Sequence, residues 1–103
     1  MIQLKDNTVN IHGISNELLF AMFVTDAVLN RYGSVLVITS INDGKHSSGS
    51  LHYSGNAFDF RTWYIVDKEE EVMDDLREAL RDSYDVVLED DHIHVEYQPK
   101  THK

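Results

Sequence analysis

Apolar residues recur at helical spacing over residues 16–32, which predicts a first helix. Ser15 suits the N-cap of this helix, and Gly33 suits its C-cap. The apolar stripe comprises Leu18, Leu19, Met22, Phe23, Ala27 and Val28. Phe20 and Leu29 widen this stripe, so we expect the helix to be buried over most of its surface.

A second helix is predicted after Asp67, which suits its N-cap. Glu70 follows three residues later, as in a capping box. In this motif each of the two side chains accepts a hydrogen bond from the backbone N–H group of the other residue. The apolar stripe of this helix comprises Val72, Met73, Leu76 and Leu80. Many of the acidic residues of the chain fall between these positions, which is typical of a solvent-exposed helix face.

Four further segments have the pattern of strands. The run "SVLVITS" at residues 34–40 is rich in β-branched residues, and "NAFDFRTWYIV" at 56–66 alternates, with Phe58 and Phe60 on one side and Asp59 on the other. Two more strands, "YDVVLE" and "HIHVEY", are joined by a turn at "DD". The order of elements predicts a small α+β domain with two helices packed on a mostly antiparallel sheet of about four strands.

The composition narrows the class of protein. A chain of 103 residues, 42% of them hydrophobic, suits one domain, with its core expected at about residues 10–99 and a frayed tail at 100–103. The lack of cysteine excludes disulfides and thiolate zinc sites, so a metal would be bound by His, Asp or Glu. The net charge of −9 argues against a nucleic-acid partner.

Hydropathy bears on where the protein works. The sequence has no apolar run of the roughly 20 residues that a membrane span needs. Its first residues do not have the pattern of a secretion signal. We therefore expect a protein that is made in the cytoplasm and does not insert into a membrane. We also expect it to be a monomer, although the sequence does not specify its oligomeric state.

Candidate chemistry is concentrated in two segments, "HSSGSLHYSGNAFDF" at residues 46–60 and "LEDDHIHVEY" at 88–97. The loop that enters the first segment is long for a compact domain, which favours a functional role. Asp59 lies mid-strand between two phenylalanines, where a carboxylate is costly unless it is paired or binds a metal. Two histidines and a carboxylate are a common ligand set of catalytic zinc, and His52 and His94 each lie by a strand. The alternative is a pair of surface histidines on an edge strand.

The first segment fits the pattern S-x-H-x-x-G-x-A-x-D, and the second contains H-x-H. The matching positions are Ser50, His52, Gly55, Ala57 and Asp59, followed by His92 and His94. Together they resemble the two zinc motifs of the M15-type D-Ala-D-Ala peptidases and of the related hedgehog signalling domains. The resemblance covers residues 34–98. It implies the hedgehog-like α+β fold and one zinc ion (Zn2+) per chain, with His52, Asp59 and His94 as ligands.

The resemblance also implies roles for neighbouring side chains. Asp91, three residues before the last ligand, matches the general base of the peptidases, with Glu89 as the alternate. His92 matches a histidine beside the metal, which can hydrogen-bond a developing oxyanion. His46 matches a histidine that hedgehog domains have at the same offset from the first ligand, and it is expected to face the substrate cleft.

Substrate contacts follow less directly from the resemblance. The peptidases often have an arginine before the first motif, where it binds a substrate carboxylate. This chain has Lys45 there, with Arg61 just after the motif, and lysine lacks the planar fork of arginine. Ser50 is a further candidate for the substrate cleft, although its hydroxyl also suits a turn.

The function implied is a zinc peptidase that cleaves peptidoglycan stem peptides. It would be a D-Ala-D-Ala carboxypeptidase or an endolysin-type endopeptidase, in a phage lysis enzyme acting on the cell wall or in a cytoplasmic bacterial protein. The alternative is a non-catalytic, hedgehog-like zinc module that acts through binding. A nuclease or phosphodiesterase is disfavoured by the acidic charge and by the order of the motifs. The resemblance does not specify the peptide bond that is cut.

Overall fold

The computed structural model of the protein describes residues 1–42 and 56–99. Within them the chain forms two α-helices and five strands. The elements in chain order are β1 (Ile2–Leu4), α1 (Asn16–Asn30), β2 (Leu36–Asn42), β3 (Ala57–Arg61), α2 (Glu69–Leu80), β4 (Tyr84–Leu88) and β5 (His92–Tyr97). Short 3-10 turns follow β3 and α2, at Trp63–Ile65 and Arg81–Ser83. Neither α-helix in this part of the chain is long and apolar enough to cross a membrane.

The sheet has the strand order β1-β2-β3-β5-β4 and is mixed. β1 pairs with β2 in parallel, whereas β2–β3, β3–β5 and β4–β5 are antiparallel pairs. The predicted α+β class is therefore confirmed, but the prediction of about four strands omitted β1. A three-residue strand is too short to show a period in the sequence, and its pairing with residues 36–38 is long-range.

The helices pack on one face of the sheet and form the core with it. Phe58 and Phe60 of β3, and Ile93 and Val95 of β5, are fully buried in this core. α2 contributes the predicted residues Val72, Met73, Leu76 and Leu80. Because side chains alternate along a strand, the residues between these positions lie on the opposite face. We call this opposite face the histidine face; it carries Ser40, Asp59, Arg61, His92, His94 and Glu96.

A register shift in β2 decides which of its side chains reach the histidine face. The pairing steps from Ile38 to Ser40 while the partner strand advances by one residue, so Thr39 is an extra residue in β2. Ile38 and Ile41 are therefore both buried in the core, although they are three positions apart. Ser40 lies on the other face, paired with Asp59.

The first helix is less buried than its sequence predicts. Ser15 is its N-cap, as predicted, and the Ser15 side chain accepts a hydrogen bond of 3.0 Å from the backbone N–H three residues on. The helix ends at Asn30, and Gly33, the predicted C-cap, lies beyond it with a φ of +73°. The side chains of Phe20 and Phe23 are 55% and 59% exposed, because the buried stripe of α1 follows its other side. The prediction that this helix is buried over most of its surface is wrong.

The second helix begins at Glu69. An N-cap at Asp67, as predicted, would have made Lys68 the first helical residue. Asp67 has a φ of +74°, a conformation that aspartate tolerates better than most residues, and Lys68 is the N-cap. The backbone N–H of Asp67 donates to Glu69 Oε1 at 3.1 Å. The predicted capping box between Asp67 and Glu70 is therefore wrong, since Glu69 binds the N–H group of Asp67.

Candidate metal centre

The pairing of β3 with β5 places two of the candidate ligands side by side. Asp59 and His94 are direct cross-strand partners on the histidine face. Asp59 Oδ1 and His94 Nδ1 are 2.7 Å apart. Two residues that are 35 positions apart in the sequence therefore meet in a hydrogen bond, and a metal ion bound by these two atoms would have to replace that bond.

Each member of this pair has a second polar partner. The Ser40 hydroxyl donates to Asp59 Oδ2 at 3.2 Å. On the other side of the imidazole ring, Glu96 Oε1 lies 3.1 Å from His94 Nε2. Metal-binding histidines usually have a carboxylate or carbonyl on the second ring nitrogen, because it fixes the orientation of the ring. Glu96 was not predicted as a site residue, although its position two residues after His94 indicates the same face of the strand.

These two carboxylates set the protonation of the ring between them. The hydrogen bond with Asp59, with a smaller contribution from Glu96, raises the pKa of His94 to about 9, although partial burial acts in the opposite direction. In the metal-free protein at neutral pH, both ring N–H groups of His94 therefore donate to carboxylates. Metal binding at Nδ1 requires the loss of that proton, since only the neutral imidazole nitrogen is a ligand.

The donor set fits zinc as far as it is described. Asp59 and His94 supply a carboxylate and an imidazole, which are ordinary zinc ligands. Within residues 1–42 and 56–99, no three His, Asp or Glu side chains are arranged to hold an ion together. The third predicted ligand, His52, lies outside the described residues. The predicted cleft residues Lys45, His46 and Ser50 also lie outside them.

His92 and Asp91 extend the row of titratable groups beyond the Asp59–His94 pair. His92 Nε2 lies 3.9 Å from Asp59 Oδ2, and His92 Nδ1 lies 3.0 Å from Asp91 Oδ1. The His92 side chain is 33% exposed and that of Asp91 is 79% exposed. Asp91, the predicted general base, therefore faces solvent. His92 lies between it and the candidate ligand Asp59, so a bound substrate can reach Asp91.

Glu89, the alternate base, lies between β4 and β5. Its backbone N–H donates to the His92 carbonyl at 2.8 Å, and its side chain is exposed. Of the two carboxylates, Asp91 is the one whose side chain contacts His92. The geometry therefore favours Asp91 over Glu89 as the base.

A pocket of about 180 Å³ adjoins these residues. Its lining comprises Lys5, Thr39, Arg61, Trp63, Asp91 and His92. The Arg61 guanidinium carbon lies 3.9 Å from the centroid of the Trp63 ring. Arg61 was predicted to contact the substrate only because it follows the first motif, whereas Lys5 and Trp63 were not predicted. Nothing in the sequence indicates Lys5, since it reaches the site next to a short strand with long-range pairing. A larger hollow of about 370 Å³ lies along β4, and none of the candidate site residues lines it.

Neither a protein-family model nor a curated protein matches the sequence. The resemblance to zinc peptidases and hedgehog domains therefore depends on the two motifs themselves. Of the motif positions, Ala57, Asp59, His92 and His94 lie in the part of the chain that the structure describes.

Proposed function

We propose that this protein is a zinc-dependent peptidase that cleaves peptidoglycan stem peptides, on a hedgehog-like fold. The observation that carries the proposal is the 2.7 Å contact between Asp59 and His94 on the histidine face. The adjacent Asp91–His92 contact of 3.0 Å supports it, because a hydrolase needs a proton acceptor beside the metal.

In this proposal, Asp59 and His94 bind zinc together with His52. When bound, zinc supplies Lewis acidity and lowers the pKa of water to about 7. Glu96 holds the second ring nitrogen of His94, and Ser40 holds the second oxygen of Asp59. These contacts keep both ligands in one orientation, which preserves metal affinity.

The residues next to the metal move the protons. Asp91 accepts a proton from the attacking water and delivers it to the leaving amine, as general base and then general acid. His92, through an N–H group, stabilises the negative charge that develops on the carbonyl oxygen. The contact between His92 Nδ1 and Asp91 Oδ1 fixes the positions of the two side chains relative to each other.

The proposal includes two activities that differ in the bond cut. A D-Ala-D-Ala carboxypeptidase releases a terminal residue, whereas an endolysin-type endopeptidase of a phage cleaves within the stem peptide or its cross-links. Digestion of purified peptidoglycan, followed by mass spectrometry of the products, distinguishes a single released amino acid from larger fragments.

The proposal is tested by comparing His94→Ala with His92→Ala. The His94 variant is expected to lose zinc, because it removes a ligand. The His92 variant is expected to keep about one zinc per chain and to lose turnover, because its role is in the transition state. Zinc content after dialysis and cleavage of purified peptidoglycan are measured on the same samples.

The same measurement separates the enzyme from the alternative function. Equal loss of zinc from both variants would mean that both histidines are ligands of a closed four-coordinate site, which leaves no position for water. That outcome would favour the non-catalytic, hedgehog-like zinc module. A wild-type protein that binds no zinc would overturn both functions.

A further inference from the structure

We propose that Trp63 and the pocket beside it bind a sugar unit of the glycan strand of peptidoglycan. The inference rests on the proposed peptidase function and names the form of its substrate, a stem peptide that is still attached to its glycan. It assigns a role to an exposed aromatic surface that the metal ligands and the base do not explain.

The turn after β3 exposes three large apolar side chains. Trp63, Tyr64 and Val66 are 59%, 56% and 62% exposed, whereas Ile65 between them is buried in the core. Because Ile65 anchors the turn to the domain, the exposed side chains are held at fixed positions on the surface. Aromatic side chains in such positions are typical of binding surfaces.

The Trp63 ring is held in place by Arg61. The guanidinium carbon of Arg61 lies 3.9 Å from the centroid of the ring, so the cation covers one face of it. Since the Trp63 side chain is still 59% exposed, its other face is open to a ligand. A ring that is already fixed loses little conformational entropy on binding. The flat face of a sugar ring, which presents C–H groups, can pack on this surface.

Polar groups surround the ring, as the hydroxyl groups of a sugar require. Lys5, Thr39 and Asp91 line the pocket together with Trp63, and they supply both hydrogen-bond donors and acceptors. The volume of the pocket, about 180 Å³, is below the roughly 300–1,000 Å³ that is usual for drug-sized ligands. A single hexosamine unit is small enough to enter it, and the rest of the glycan would extend over the surface.

The charges around the pocket balance, which favours a neutral ligand over an anion. Lys5 and Arg61 supply two positive charges, and Asp91 and Asp6 supply two negative charges. Hydrogen bonds from Thr8, with smaller contributions from the charges of Lys5 and Arg61, hold the pKa of Asp6 below its usual value. The hydroxyl and acetamido groups of a glycan are uncharged, so they need no excess of either sign.

The size of the exposed apolar surface favours a sugar over a protein partner. A stable protein interface uses about 20–30 residues on each side around an apolar core. The turn offers three exposed apolar side chains, and charged side chains lie directly beside Trp63. One aromatic face with a polar surround suits a single sugar ring.

A backbone hydrogen bond connects this turn to the candidate base. The N–H group of Thr62, the residue before Trp63, donates to the Asp91 carbonyl at 3.2 Å. Asp91 and His92 also line the same pocket as Trp63. A sugar bound at Trp63 therefore lies beside the residues that are proposed to move protons. Contacts with this non-reacting part of the substrate would help to position the stem peptide for cleavage.

The fluorescence of Trp63, the single tryptophan of the chain, reports on binding directly. The protein is titrated with chitotetraose, which has four β-1,4-linked N-acetylglucosamine units and no peptide, and with maltotetraose, an α-linked glucose tetramer. Both titrations are repeated with a chelator and at high salt. We expect saturable binding of chitotetraose that neither treatment changes, because the site needs neither zinc nor a net charge. Maltotetraose should bind more weakly by about tenfold or more.

Three variants locate the binding, and titration calorimetry measures them because the Trp63 variants lack the fluorophore. Trp63→Ala is expected to weaken binding of chitotetraose by about tenfold or more, the usual scale for a tryptophan at the centre of a binding surface. Trp63→Phe should have an intermediate affinity, since it keeps a smaller ring. Phe23→Ala is the matched control: Phe23 has the same exposed fraction of 59% but lies on α1, so this variant should bind as the wild type does.

The absence of saturable binding of chitotetraose would overturn the glycan site, as would equal affinities in wild type and a Trp63→Ala variant that circular dichroism shows to be folded. If Trp63→Ala does not fold, Trp63→Phe decides. Self-association that Trp63→Ala abolishes, in a protein that binds no chitotetraose, would assign the turn to a protein interface instead. Binding of chitotetraose by a protein that cleaves no peptidoglycan would support the glycan site and contradict the proposed reaction. The two proposals can therefore fail separately.

Discussion

The proposed reaction depends on one exposed carboxylate, that of Asp91, as its proton acceptor. We predict that Asp91→Asn keeps zinc and lowers peptidoglycan cleavage by about 10²-fold or more, because it removes the proton acceptor and preserves the shape of the side chain. Glu89→Gln is the matched control and should have a milder effect, since the Glu89 side chain does not share the contact of Asp91 with His92. An inactive Glu89 variant beside an active Asp91 variant would assign the base to Glu89.

Glu96 tests whether the hydrogen bond to the second ring nitrogen of His94 serves the metal. We predict that Glu96→Gln weakens zinc affinity by about 10–100-fold, the usual cost of losing such a partner. The measurement is competition for zinc with a chromophoric chelator. Glu78→Gln, which removes the same charge from an exposed position on α2, should leave the affinity unchanged. Equal affinities in wild type and Glu96→Gln would contradict this role.

How much of the site could be predicted differs from residue to residue. The alternation of β5 indicates that His92 and His94 share a face, and the pattern of β3 indicates that Asp59 is turned away from its phenylalanine neighbours. The contact between Asp59 and His94 depends on the register of two strands, which the motif resemblance implies and the periodicity does not. Lys5 could not be predicted at all, because the pairing that brings it near the site is between distant parts of the chain.

At the scale of the elements, β3 holds Asp59 in place through the core on its other face. We predict that Phe58→Ala lowers the free energy of unfolding by about 3–5 kcal/mol, because it leaves a cavity under the strand. Phe23→Ala is the matched control; its side chain is 59% exposed, so its effect should stay within about 0.5 kcal/mol. Denaturant unfolding measures both variants. Similar losses from both would mean that α1 is covered in a way that the exposure of Phe23 does not indicate.

The pattern of polar and apolar residues was sufficient to predict some helices and strands and insufficient for others. The segment "HIHVEY" forms β5 with the predicted bounds, because its alternation of polar and apolar residues fits a strand and does not fit a helix. In β2 the residues that pack in the core cluster, Leu36, Ile38 and Ile41, are spaced by two and then three, and that change in spacing reflects the bulge at Thr39. α1 was predicted with the right N-cap and the wrong burial, because helical spacing counts apolar residues and does not show which of them have a neighbour to pack against.

For the whole molecule, the order of helices and strands was enough to predict the α+β class, because each element must bury its apolar side against another. The order of the strands in the sheet was not predicted. It depends on β3 lying between β2 and β5, and on β1 joining β2 in parallel. This strand order brings together the two sources of the site, the acid of β3 and the histidines of β5, at the middle of the sheet.

Because the proposed ligands come from separate segments, zinc should stabilise the whole domain. A ligand that binds only the folded state adds about 2.7 kcal/mol when its free concentration is 100 times its Kd. For a domain of this size, 1 kcal/mol corresponds to roughly 4–8 °C in Tm, so we predict that zinc raises the Tm of chelator-treated protein by roughly 10–20 °C. Calorimetry should find this increase in wild type and in Phe23→Ala, and should not find it in His94→Ala. An equal increase in His94→Ala would mean that the stabilising zinc binds elsewhere in the chain, which would contradict the proposed metal centre.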